Sequence, residues 1–131
     1  MDAFPGGGSA ITTILVVSDT ATSAAWYRDV LGAEVNRTYG SSAVLRIFDA
    51  WLLLVEEGGP TPDKPDVHFT SPDDPGRVAH AFTIRVEDCD AAHAELRERG
   101  AEFLTPPIHR PEETRCFFRD PDGHLFEISQ A

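Results

Sequence analysis

Glu127 is a carboxylate set between apolar residues on an extended segment. It stands four residues after a turn glycine in Arg119-Asp120-Pro121-Asp122-Gly123-His124-Leu125-Phe126-Glu127-Ile128. On a strand, its side chain faces one side while Phe126 and Ile128 face the other. An inward carboxylate of this kind can ligate a metal, act as a general base, receive a ligand's amine or guanidinium, or pair with an arginine. Arg85, of the same strand parity as Ala81 and Thr83, is its expected ionic partner. His80 adjoins the same strand, and alternation sends it to the side opposite Ala81 unless a bulge shifts the register. The other histidines fall on a helix face (His93), in a Pro-flanked loop (His109), after the turn glycine (His124) and in a connector (His68). Cys89 and Cys116 lie far apart with no C-x-x-C spacing, and read as reduced, half-buried thiols rather than zinc or redox ligands. Asp120–Gly123 lacks the oxygen spacing of a calcium loop and reads as a β-turn. Gly6-Gly7-Gly8 has neither a preceding strand nor a following Lys-Ser/Thr, so it is not a phosphate loop. Among aromatics, Trp51 opens one strand, while Phe117 and Phe118 occupy opposite faces of another, so one ring is available to stack on a planar or cationic ligand.

The elements that must position these groups repeat. Aligning Asp19 with Asp88 brings two β-branched, apolar runs together, each followed by a short helix and then by Gly-Ala-Glu. Gly32-Ala33-Glu34-Val35 matches Gly100-Ala101-Glu102-Phe103. The aspartates are placed to cap helix N-termini and the glycines to take the left-handed turn that ends them. Extended segments follow in each half: Val35–Tyr39, Ala43–Phe48 and Trp51–Val55 in the first, and Glu102–Thr105, Thr114–Arg119 and His124–Ser129 in the second. Each half is β-α-β-β-β, after a first strand within Ile11–Asp19. The expected organisation is a flexible tail at 1–10 and one domain at 11–130. Within it, module one spans 11–56, a Pro-rich connector 57–78 and module two 79–130. The connector holds one possible edge strand at Val67–Thr70.

The chain has 131 residues, one domain's worth, and 22 Asp+Glu against 11 Lys+Arg give a net charge of −11. That balance excludes a phosphate-tracking nucleic-acid surface and an anionic membrane, and it would concentrate cationic small molecules. Lys64 is the lone lysine, so nearly all positive charge is guanidinium, suited to bidentate pairing. The longest apolar run, Ala50–Val55, is strand-length, and the N-terminus lacks the features of an export signal, so a cytoplasmic protein is expected.

The Val17-Ser18-Asp19 strand end, the helix Trp26-Tyr27-Arg28-Asp29-Val30-Leu31-Gly32 and the segment Arg119–Ile128 together resemble the vicinal oxygen chelate superfamily, from about Ile11 to Gln130. That group includes glyoxalase I, extradiol dioxygenases, fosfomycin-resistance transferases and bleomycin-binding resistance proteins. The resemblance implies an α+β fold of two βαβββ modules forming a curved, cavity-lining mixed sheet with helices on the convex face. It also implies metal ligands at four positions, which fall here on Thr12, Ala81, a site near Leu53, and Glu127. One of the four is a ligand type. The expectation is therefore a metal-free, cofactor-free binding protein similar to the bleomycin-type members. It would hold a cationic or planar aromatic small molecule in a cavity at a homodimer interface, against Trp51, Arg85, Phe117, Phe118 and Glu127. The alternative is a glyoxalase-like lyase, isomerase or dioxygenase, with a divalent ion on His80 and Glu127 and Glu127 as the catalytic group. A third reading is a dimeric interaction module whose cavity is filled by its own side chains.

Overall fold

The computed structural model describes residues 7–131; positions 1–6 of the expected tail lie outside the described residues, and 7–12 are exposed without regular structure. Module one runs β1 (Thr13–Val17), α1 (Thr20–Leu31), β2 (Glu34–Tyr39), β3 (Ser42–Ile47) and β4 (Ala50–Glu56). Module two runs β5 (Phe82–Arg85), α2 (Cys89–Glu98), β6 (Ile108–His109), β7 (Thr114–Arg119) and β8 (Leu125–Gln130). The caps explain where the helices start and stop. Asp19 Oδ1 accepts from the backbone N–H groups of Ala21 and Thr22 at 3.0 and 3.2 Å, and Asp88 Oδ1 accepts from that of Ala91 at 3.0 Å. Gly32 ends α1 at φ 72°, and Gly100 follows α2 at φ 108°.

The strands form two four-stranded mixed sheets, ordered β1-β4-β3-β2 and β5-β8-β7-β6, so the chain is an α+β fold of two βαβββ modules. In each sheet the first strand runs parallel to the last and the other neighbours are antiparallel. One difference from the expected strands has a simple cause. The second strand of module two is β6, not Glu102–Thr105, because Pro106 and Pro107 offer no N–H to a ladder; Phe103 makes only a single bridge to Phe118. In the connector, Val67–Thr70 likewise contributes one bridge, Gly58 to Phe69.

Both sheets turn one face onto a shared core. Leu15, Val17, Ala43, Leu45, Leu52 and Leu54 of the first sheet, Cys116, Phe118, Phe126 and Ile128 of the second, and Tyr27, Val30 and Leu31 of α1 make one buried cluster. The phenyl rings of Phe118 and Phe126 stack at 5.4 Å between centroids, with Trp26 and Tyr27 against them at 6.2 and 6.0 Å. Polar bonds fasten the modules across this core. Tyr27 Oη donates to Asp120 Oδ2 at 2.6 Å, the Ser18 backbone N–H donates to Asp122 Oδ1 at 3.1 Å, and His124 Nε2 donates to the Val16 carbonyl at 2.8 Å. The two cysteines, expected half-buried, are fully buried at 0% and 1% exposure. Among the described residues, no helix is long and apolar enough to cross a membrane.

Candidate functional site

Since the inner faces meet in one core, the faces free to meet a ligand are the outer ones. Register decides who lies there. On the second sheet Thr83 stands opposite Glu127, Glu127 opposite Phe117, and Arg85 and Arg115 opposite Ser129; Arg119 follows in the same parity. On the first sheet the outer face carries Ile14, Val16, Val44, Leu53, Val55 and Trp51, with Arg37 and Arg46 toward its far edge. Arg46 lies over the Trp51 ring at 5.0 Å and Arg37 over Tyr39 at 5.0 Å.

Glu127 is held from two sides. Thr83 Oγ1 donates to its Oε1 at 2.5 Å, and Arg115 Nη1 lies 3.7 Å from its Oε2, with the Glu127 side chain 15% exposed. The expected Arg85 partnership does not form, because the parallel register sets Thr83, not Arg85, beside Glu127. Arg115 instead comes diagonally from β7, also bonding Glu113 at 3.2 Å and lying 5.8 Å from the Phe117 ring centroid. The alternation of β7 puts Phe117 on this face and sends Phe118, 0% exposed, into the core. Trp51 is on the outer face of the other sheet. His80, of the same parity as Phe82, stacks edge-on against that ring at 6.0 Å on the side away from Glu127.

Local charge on these faces runs against the total. Arg37, Arg46, Arg85, Arg115 and Arg119 share them with Glu34 and Glu127, and with Glu113 at the rim where it pairs with Arg115, in a chain of net charge −11. The sequence points to Glu127, but nothing in it singles out Arg115, whose role follows from cross-strand register alone.

Among the described residues, no group of three or more His, Cys, Asp or Glu is arranged to hold a metal ion. Thr12 and Leu53 present a hydroxyl and an alkyl group. The described residues of a single chain therefore do not supply the three protein ligands that a catalytic ion ordinarily needs, and Glu127 is the ligand type among the positions named above. The cysteines are no substitute: burial pushes the Cys89 thiol up and the Cys116 thiol up to about 12, so neither is a ready thiolate.

The profile described as Glyoxalase/Bleomycin resistance protein/Dioxygenase superfamily matches residues 10–128. The chain is 25% identical over 114 residues to the glutathione transferase FosA of Serratia marcescens, covering 87% of this chain and 74% of that protein. It is 30% identical over 115 residues to the metallothiol transferase FosB of Lysinibacillus sphaericus, covering 86% and 74%. A crystal structure of a variant of the fosfomycin resistance protein FosX from Listeria monocytogenes, complexed with Mn(II) and 1S,2S-dihydroxypropylphosphonic acid, shares the fold. Its TM-score is 0.65 at 21% identity, over 92% of this chain and 88% of that one. These relatives overturn the expectation of a metal-free, cofactor-free binding protein of the bleomycin type. They are named as transferases of thiols, one by a metal-derived name, and the solved structure carries a divalent ion. Missing ligand types at Thr12 and Ala81 suggested the metal-free reading; substitution at single positions is a weaker guide to chemistry than likeness over most of the chain. The chain belongs to the glyoxalase/bleomycin resistance protein/dioxygenase superfamily.

Proposed function

We propose that this protein is a divalent-metal-dependent enzyme that joins a thiol to a small anionic substrate of the phosphonate type, the sulfur bonding to a carbon as that carbon's C–O bond breaks and the thiol proton passing to the released oxygen. The observation that carries the reading is the outer face of the second sheet, where Arg115 lies beside Glu127 and Arg85 and Arg119 share its strand parity. Guanidinium groups bind tetrahedral oxyanions through paired N–H donors, and their concentration here argues for an anionic guest in place of the cationic one expected from net charge. Glu127 is the ligand this chain would give to the metal, which would supply Lewis-acid polarisation of a substrate oxygen. The chain's own part is to bind and orient. Arg115 meets the anion and partly neutralises Glu127, while Thr83 fixes the carboxylate's rotamer through its hydroxyl.

The reading includes a cytoplasmic homodimer in which a second copy covers the outer faces. Its support is apolar surface that one chain leaves open, with Ile14 47% and Ile108 44% exposed. Titration calorimetry with a small phosphonate tests the substrate class. Saturable binding in the presence of Mn(II), weakened by Arg115→Met and by Glu127→Gln, is the expected result. Equal binding by wild type and both variants would exclude the site.

A further inference from the structure

A separate cleft, of about 200 Å³, opens where the connector folds over the start of β5 and the turn before β8. Its polar lining includes Asp73, Arg77 and His124, and its apolar wall Val78, Phe82 and Leu125. The ion pairs among the described residues join Arg28 to Asp29, Arg99 to Glu95, His109 to Asp90, and Arg115 to Glu113 and Glu127. Arg77 and Asp73 belong to none of them, so two opposite charges line one cleft without neutralising each other.

His124 adds an independent observation. Its side chain sits in a residue only 9% exposed, and Nε2 lies 2.8 Å from the Val16 carbonyl oxygen. A carbonyl only accepts, so Nε2 carries a proton, and in the tautomer protonated at Nε2 alone Nδ1 is an acceptor. Nδ1 has no partner among the described residues, yet no sealed side-chain nitrogen or oxygen there is left unbonded. It therefore keeps an opening, and the cleft that the ring lines provides it. The cleft thus combines a cation, an anion, an imidazole nitrogen open to a donor, and an apolar wall.

We propose that this cleft binds a small apolar α-amino acid as its zwitterion: the carboxylate meets Arg77, the ammonium donates to Asp73 and His124 Nδ1, and the side chain packs on Val78, Phe82 and Leu125. A monovalent acid or amine of the same shape would make one of the two charge contacts in place of both, and so bind more weakly. The site owes nothing to Glu127, so it stands or falls apart from the proposed enzymatic function.

Amide NMR of the full chain, titrated separately with valine, 3-methylbutanoate and 2-methylpropylamine, tests it. Valine is expected to shift the amides of Thr70–Phe82 and His124 saturably, and to bind at least about tenfold more tightly than either monofunctional analogue. Arg77→Ala and Asp73→Asn, exposed connector substitutions that leave the core untouched, should each weaken valine by about tenfold, and Glu127→Gln should leave it unchanged. Absence of a saturable shift with valine, equal binding of 3-methylbutanoate, or undiminished binding to Arg77→Ala would each overturn the proposal.

Discussion

Replacing Tyr27 with Phe removes one oxygen and isolates the bond that fastens the first helix to the second module. Tyr27 is 0% and Asp120 5% exposed, and the phenol donates to Asp120 Oδ2 at 2.6 Å. Burial first, and then the neighbouring Asp120 charge, hold the phenol well above its ordinary range, so it remains a donor. Asp120 Oδ1 accepts from the backbone N–H groups of Asp122 at 3.0 Å and His124 at 2.8 Å, so its second oxygen depends on Tyr27. Stranding one oxygen of a buried carboxylate costs about 1.5–3 kcal/mol. For a domain of this size that corresponds to a fall in Tm of about 5–15 °C. The pH dependence sharpens the test. Burial raises the Asp120 pKa, and the Tyr27 bond opposes the rise. A folded-state pKa above the unfolded one means that the group favours folding most at acid pH, and that this contribution is lost as pH rises through the folded value. Loss of the phenol raises that value further, so the Tyr27→Phe penalty should be small near pH 4 and full near pH 7, to about one pH unit. Urea unfolding of both proteins across that range measures it. A penalty below about 0.5 kcal/mol near pH 7, or one independent of pH, would refute the reasoning.

Other outcomes follow from the same geometry. Gly32→Ala should cost about 1 kcal/mol in thermal unfolding, because φ is 72° while a Cβ there would meet nothing within 4 Å, leaving backbone strain alone. Cys116, pushed up to about 12 and 1% exposed, should react with an aromatic disulfide reagent at pH near 8 only as the chain unfolds. Reaction at the native protein's surface rate would contradict that burial. Arg115→Met should raise KM for an anionic substrate by about tenfold and change kcat less, as expected for a group that binds charge in ground and transition states alike. Steady-state kinetics separates the two constants.

What was legible in the sequence was local. Asp19 and Asp88 as caps, Gly32 and Gly100 as stops, and the alternation around Glu127 each depend on neighbours within a few residues, and each is found in the structure. Phe117 and Phe118 were separable by parity, although which of them faces outward needed the core. The strand at Ile108–His109 is too short to be legible, since it exists only through its pairing with Thr114 and Arg115 of β7, while Pro106, without an N–H, ends the contact that Phe103 and Leu104 make with the same strand. Partners distant in sequence were out of reach. Tyr27 and Asp120 are 93 residues apart, and the choice of Thr83 and Arg115 over Arg85 for Glu127 depends on strand register that no single segment encodes. Net charge misled in the same way, since −11 describes the whole surface and not the arginines of the outer faces.

The most direct test of the central claim is phosphorus NMR of fosfomycin incubated with the protein, Mn(II) and a thiol, either glutathione or cysteine. The account predicts a new phosphonate resonance for the thiol adduct with wild type, abolished by Glu127→Gln and by a chelator. No turnover by wild type with either thiol, or turnover that survives both Glu127→Gln and chelation, would contradict it.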